Sequence, residues 1–354
     1  MKIFKKLSLL CVLIFLYMYI LSWNYIPKTI AVRGEEVKVS DIQVIPVGEI
    51  VGIKLYTSGV LVVGTSAIQG IDGKIYKPFE NTEIKEGDSI ITINNNIVNN
   101  TEELINEINM CNDEKIQIKY IRNEQEKMCE IQPVKDKQGK YKIGLWVRDS
   151  AAGVGTVTFY SGETQSFAGL GHAITDIDTG DIIKTSSGEI DDVTIISIVK
   201  GLEEAPGKIQ GALMRNSVIG SIYKNTEYGI YGVIKNYNNI NIDYNKKMNV
   251  AARQEITLGD ANILSNIDGT TKEYKIKIEK IYYNNNYDNK SMLIKVTDER
   301  LLEKTGGIIQ GMSGSPIIQN GKFIGAITHV FVRDPQIGYA VFGDIMIKQM
   351  MSVE

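Results

Sequence analysis

Residues 7–23 form an unbroken apolar or near-apolar run behind Lys2, Lys5 and Lys6, and Tyr25, Pro27 and Lys28 follow it. As a helix at about 1.5 Å per residue the run spans roughly 25 Å, enough to cross a hydrocarbon core of about 30 Å. Lysines ahead of it place the N-terminus in the cytoplasm, and Trp23 and Tyr25 suit the far interface, so the rest of the chain is expected to be exported. Tyr19, Leu21, Trp23 and Tyr25 are too bulky for a small-x-small cleavage site, which favours an uncleaved anchor over 1–23 and a tether over 24–41.

Two further regions follow. Within 42–135, Gly59-Val60-Leu61-Val62-Val63-Gly64 reads as a buried strand and 84–94 as a turn and strand. Residues 101–108 have helical apolar spacing with Thr101 as N-cap, and 115–122 alternate as a strand. This predicts a small α/β module. From 141 onward the pattern becomes short strands between glycine turns, at 154–160, 181–186, 193–199, 229–235, 274–283 and 292–297, ending in a helical stretch at 344–351. Many strands at such spacing predict a barrel or sandwich over 141–354, and the chain as a whole is expected to be mainly β.

Composition narrows the function classes. The chain has 354 residues, 43% hydrophobic and 23% charged, sufficient for two or three cores. A net charge of −3 with lysines interspersed among acids leaves no basic footprint for nucleic acid. Cys11 lies in the apolar run, so Cys111 and Cys129 form the one conceivable pair in the folded part, and free buried thiols are expected. No Cys/His cluster has metal-ligand spacing, so neither a metal nor a cofactor is expected.

The chemistry is concentrated in Gly311-Met312-Ser313-Gly314-Ser315-Pro316, the way a chymotrypsin-like serine protease presents its nucleophile. Flanking glycines let the backbone turn sharply, exposing the Ser313 hydroxyl and aiming the Gly311 and Ser313 amides at one spot, an oxyanion hole. Ile317-Ile318, Asn320-Gly321 and 323–328 then read as a strand, a hairpin turn and a returning strand. Ser-Gly-Ser-Pro is also ordinary turn chemistry. A serine needs a base, and the chain has two histidines. His172, in Gly169-Leu170-Gly171-His172, precedes Ser313 by 141 residues, an order and scale that suit one histidine barrel and one serine barrel. His329, at the end of the returning strand, reads as structural. The third member stays open. Asp298 lies 15 residues before Ser313 but equally reads as a helix cap, Asp191 and Asp192 also look like turn residues, and Thr328 offers a hydroxyl.

The paired motifs resemble the stage IV sporulation protein B peptidases, clan-PA-like serine peptidases of endospore-forming bacteria. The likeness covers most of the chain, including Ile45-Pro46-Val47-Gly48, Gly59–Gly64, Gly169–His172 and Gly306–Pro316. It implies His172, Asp298 and Ser313 as catalytic residues and a chymotrypsin-like double β-barrel. It further implies self-processing in the tether, residence in the forespore membrane facing the intermembrane space, and cleavage of a regulatory membrane protein that leads to activation of a late sigma factor. Residues 42–135 are similar to PDZ domains of bacterial proteases, which bind an extended chain at a sheet edge. That similarity makes Val51-Gly52-Ile53-Lys54-Leu55 the peptide loop, with Gly52, Ile53 and Leu55 as ligand contacts, although the same apolar residues equally read as core.

The expectation is a membrane-anchored serine endopeptidase with protein substrates. A catalytically inactive PDZ scaffold is the rival of another class. A lipid or cell-wall esterase is disfavoured because no Gly-x-Ser-x-Gly elbow is present.

Overall fold

The computed structural model describes residues 29–32, 35–283 and 289–352. The apolar run at 7–23 lies outside them, as does the first part of the tether. Among the described residues no helix is long and apolar enough to cross a membrane. The later tether is built into the fold: Thr29–Val32 pairs with Glu35–Lys38 as an antiparallel hairpin, and Val39 and Ile42 are buried.

Strand β1, Gln43–Thr65, is 23 residues long because apolar side chains point to both of its faces; Val44, Ile45, Val47, Ile53, Leu55, Val60 and Val62 are all buried. Its distal end enters the small module, made of β2 (Ser89–Ile93), helix α1 (Thr101–Asn109), β3 (Ile116–Arg122) and β4 (Gln125–Ile131). These elements close over Val60, Ile90, Leu104, Ile108, Ile118 and Tyr120. The cap of α1 is Asn100 and not Thr101: the Asn100 side chain accepts from the Glu103 amide at 2.8 Å, while the Thr101 amide donates to Asp149. Cys111 and Cys129 are both free thiols, and burial pushes Cys129 up to about 11.

The chain returns as β5 (Leu145–Ser161), antiparallel to β1 along nearly its whole length, from Leu145↔Thr65 to Tyr160↔Ile45. Strands β6 (Ser166–Gly169), β7 (Thr185–Val199), β8 (Lys208–Thr226) and β9 (Gly229–Ile234) complete a ring in the order β5-β6-β9-β8-β7-β1, which the β1–β5 ladder closes. A second closed barrel follows. It consists of β10 (Gly259–Ser265), β11 (Lys272–Ile281), β12 (Met292–Val296), β13 (Pro316–Gln319), β14 (Lys322–Phe331) and β15 (Asp334–Phe342), with the short helix α2 (Glu299–Thr305) after β12. Helix α3 (Gly343–Met351) packs Met346, Ile347 and Met350 into a third cluster with Phe159, Tyr231 and Phe323, and this cluster joins the barrels. There the Phe159 and Phe323 rings meet edge-on at 5.2 Å.

The register draws the partition differently from a module at 42–135 followed by a peptidase from 141. Residues 43–57 of β1 belong to the first barrel, and the small module is carried between β1 and β5. The peptide loop expected at 51–55 is corrected by the same ladder. Gly52, Ile53 and Leu55 pair with Val154, Gly153 and Ala151 on one side and with Asp191, Ile190 and Gly188 on the other, so no edge is left there for a ligand. Gly52 is a close-approach glycine, since a Cβ at that position would fall 1.9 Å from Leu213 Cδ2. Leu55, fully buried, is core. Leu55→Ala should therefore lower the unfolding free energy by about 2–5 kcal/mol in urea titration; an unchanged midpoint with lost peptide binding would restore the loop reading.

Candidate active site

Ser313 stands in the turn between the α2 region and β13. Gly311 and Gly314 have φ of 103° and 95°, the left-handed region that a side chain resists. At Gly314 a Cβ would also lie 2.2 Å from the Thr156 carbonyl oxygen and 2.5 Å from the Leu170 nitrogen, so the turn is pressed against the first barrel. Thr156, buried on β5, fixes that contact. Its amide donates to the Ser313 carbonyl at 3.0 Å, its hydroxyl donates to the Gly311 carbonyl at 2.8 Å, and its carbonyl accepts from the Leu170 amide at 3.2 Å. The Ser313 hydroxyl donates to the Thr328 carbonyl at 2.8 Å. Among the described residues the Gly311 and Ser313 amides make no hydrogen bond, which leaves both available to an oxyanion.

The turn at 169–172 carries His172 out of β6 to the other side of the same cleft. His172, Ser313, Gly311, Gln310, Asn289 and His329 all line this cavity of about 1060 Å³. His172 Nδ1 lies 2.7 Å from the Ala173 carbonyl, and since a carbonyl can only accept, Nδ1 carries the proton and Nε2 keeps its lone pair. That is the tautomer a general base requires. The Ser313 hydroxyl is engaged by the Thr328 carbonyl and not by His172, and in unliganded sites the nucleophile–base hydrogen bond is often long or unformed. The second histidine belongs to the site: the His329 ring lies 5.0 Å from that of His172 at 36°, and its buried Nδ1 has no partner. Burial lowers the pKa of both rings, His329 to about 4, where His172 and Lys290 add to the effect.

Asp298 is not on this cleft. It caps α2, accepting from the Arg300 amide and the Arg300 Nε at 3.0 Å each, from Arg300 Nη2 at 2.8 Å and from the Lys275 amide at 3.1 Å. The Arg300 guanidinium holds its carboxyl at about 2. These bonds occupy both oxygens, so the structure assigns Asp298 to the cap. Asp191 is buried in the β7 ladder, Asp192 is exposed, and the Thr328 hydroxyl donates to the Asn289 carbonyl at 3.1 Å. None of the three bonds to His172; the Ala173 carbonyl fills the place of an orienting acid. Thr156, His329 and Asn289 were not singled out as site residues in the sequence. Asn289 donates to the Glu227 carbonyl at 2.8 Å and leaves its buried Oδ1 unpartnered on the cleft wall.

A second concavity, about 480 Å³, lies in the small module between Leu104, Ile105 and Ile108 of α1 and the first residues of β5, Leu145, Trp146 and Val147. Asp136, Lys137 and Lys142 are the charged residues on its walls.

The profile of the SpoIVB peptidase S55 family matches residues 139–347, more than half of the chain and the part that carries both His172 and Ser313. The chain belongs to this family. It is a serine peptidase, mainly β in fold. A search of curated proteins finds no match. Solved structures similar to this SpoIVB-family peptidase include the PDZ domain of an SdrC-like protein from Listeria monocytogenes, 23% identical, covering 25% of this chain and 87% of that one with a TM-score of 0.21. The active form of the Rv3671c protease from M. tuberculosis is 12% identical over 58% of this chain and 76% of its own, with a TM-score of 0.33. The HtrA-type protease AlgW with a decapeptide is 11% identical over 86% of this chain and 65% of its own, with a TM-score of 0.34.

Two outcomes are expected from this geometry. Thr156→Val keeps the shape but removes the bond to Gly311, so stability should fall by about 1–3 kcal/mol with a larger fall in kcat than in KM, measured by urea titration and steady-state kinetics. A variant with unchanged kcat would separate the joint from the chemistry. Because burial lowers the His172 pKa, its neutral form persists below the usual ~6.5, and the acid limb of kcat/KM should fall below that value. For His329 the unfolded chain binds the proton first, so its contribution to stability should be lost as pH drops from ~6.5 towards 4, a slope that His329→Asn should flatten.

Proposed function

We propose that the SpoIVB-family peptidase cuts protein substrates through Ser313 as nucleophile and His172 as general base. The observation that carries this reading is that both residues, far apart in sequence, line one cleft with His172 in the proton-accepting tautomer. Neutral His172 takes the Ser313 proton as Oγ attacks the peptide carbonyl, then gives it to the leaving amine; water resolves the acyl-enzyme with the same groups reversed. The Gly311 and Ser313 amides hold the oxyanion, each contributing on the order of 3 kcal/mol to the transition state. The Ala173 carbonyl orients the imidazole without supplying a charge.

The cellular setting rests on family membership and on the N-terminal pattern. The lysines before the apolar run at 7–23 support an anchor with the bulk of the chain exported, and family membership supports its place in the forespore membrane facing the intermembrane space. There the peptidase would process its own tether and cut a regulatory membrane protein, which leads to activation of a late sigma factor. The small module supplies a peptide-binding groove under α1.

Comparing the full chain with Ser313→Ala tests this. Wild type should react with a fluorophosphonate, release itself by cuts within 24–41 and cleave a membrane-protein ectodomain. Ser313→Ala should lose all three, its hydrolysis falling on the order of 10⁶-fold. Equal tether processing by both chains would remove Ser313 from the mechanism.

A further inference from the structure

The cleft and the groove under α1 lie on one strand. From Leu145 to Gly155, β5 pairs with β1 on one side, and on its other side, among the described residues, with no strand at all; β6 takes that side only from Val157. The first residues of this open edge, Leu145, Trp146 and Val147, form one wall of the groove. The next, Arg148 and Ser150 to Val154, form a wall of the active-site cleft. Thr156, immediately beyond, holds the nucleophile turn. An unpaired run of backbone donors and acceptors is a template for an added strand, and register shifts at Trp146/Val147 and Arg148/Ser150 twist it without interrupting its pairing to β1.

The polarity of an added strand follows from the chemistry, and the argument rests on the reading of His172 and Ser313 given above. The leaving amine must face His172 to receive its proton. His172 is carried by the first barrel and the oxyanion amides by the second, so the residues after the scissile bond leave along the first-barrel wall, which is β5. A chain moving from Val154 towards Leu145 runs antiparallel to β5, the slightly more stable pairing. Its end then reaches the groove, where the apolar side chains of Ile105 and Trp146 are exposed. The wall charges there are Lys137, Lys142 and Asp136, net positive, and Asp136 is paired with Lys142 at 2.9 Å. A chain terminus with its carboxylate complements such a wall.

We propose that β5 is a ruler: the C-terminal segment of a protein substrate adds antiparallel to its open edge, with the terminal carboxylate in the groove under α1 and the scissile bond at Ser313. Positions 145 to 154 at about 3.3 Å each span on the order of 30 Å, so the cut falls about ten residues before the substrate's C-terminus.

The test uses the purified full chain and a pool of unstructured peptides of about 30 residues, each as free acid, as C-terminal amide and with a Gly/Ser tail appended, cuts being mapped by mass spectrometry. Cuts should cluster about ten residues from the free terminus and move with it when the tail is added, and amidation should lower kcat/KM about tenfold or more. Ile105→Glu, which sets a negative charge in the groove, should abolish the clustering while Ser313 still takes a fluorophosphonate. Ile97→Glu, on the exposed module surface away from the groove, should leave the clustering intact. Cuts fixed to particular sequences whatever the distance to the end, and unmoved by Ile105→Glu, would overturn the ruler and leave the peptidase reading standing. No cleavage and no fluorophosphonate labelling of wild type would overturn both.

Discussion

Thr156 holds the two halves of the cleft together. Three of its polar atoms bind three different partners, the Ser313 carbonyl, the Gly311 carbonyl and the Leu170 amide. The joint lies in a fully buried place, where each bond is shielded from water and an orphaned partner would be penalised by about 1–3 kcal/mol. The absence of a side chain at Gly314 is the complementary half of the same constraint, since any Cβ would force the nucleophile turn off the Thr156 carbonyl. The Gly311 and Ser313 amides, the serine hydroxyl and the histidine turn all take their positions from this contact.

The electrostatics of the cleft follow from the burial of its two imidazoles. A histidine with a buried carboxylate beside it would be held charged more readily; His172 has a carbonyl instead, and a second neutral imidazole stacked against it. Both rings are therefore tuned towards the neutral form, and in the proposed mechanism His172 acts through its free Nε2 and its position rather than through a neighbouring negative charge. The carboxylate of Asp298 serves a different purpose just beyond the end of β12, where it pairs with Arg300 and caps the start of α2.

The parts of the site legible in the sequence are those whose chemistry is local. Gly311, Ser313 and Gly314 announce a sharp turn because only glycine tolerates that backbone, and the scarcity of histidine singled out His172. A mainly β barrel or sandwich was likewise legible in the spacing of short strands, while the two-barrel form came from the family resemblance. What the sequence could not separate were readings that use the same residue for opposite ends. Asp298 satisfies both a cap and a triad by position, and the choice is made by Arg300, two residues on, whose guanidinium folds back onto it. Gly52 suits both a loop that frees its amides and a strand that is approached closely; Leu213, 161 residues away in sequence, decides for the strand. Thr156 and Asn289 carried no signal, because their partners are main-chain atoms supplied by distant turns.

The joint at Thr156 spans 155 residues of sequence. During synthesis the first barrel emerges well ahead of the second, and its β1 must wait for the whole small module to be made before β5 arrives to pair with it. The serine turn comes later still, from the last part of the chain. An incomplete chain thus carries His172 with no Ser313 turn to face it, and the cleft exists only once the second barrel has been made and has docked on Thr156, so its assembly is timed to the end of synthesis.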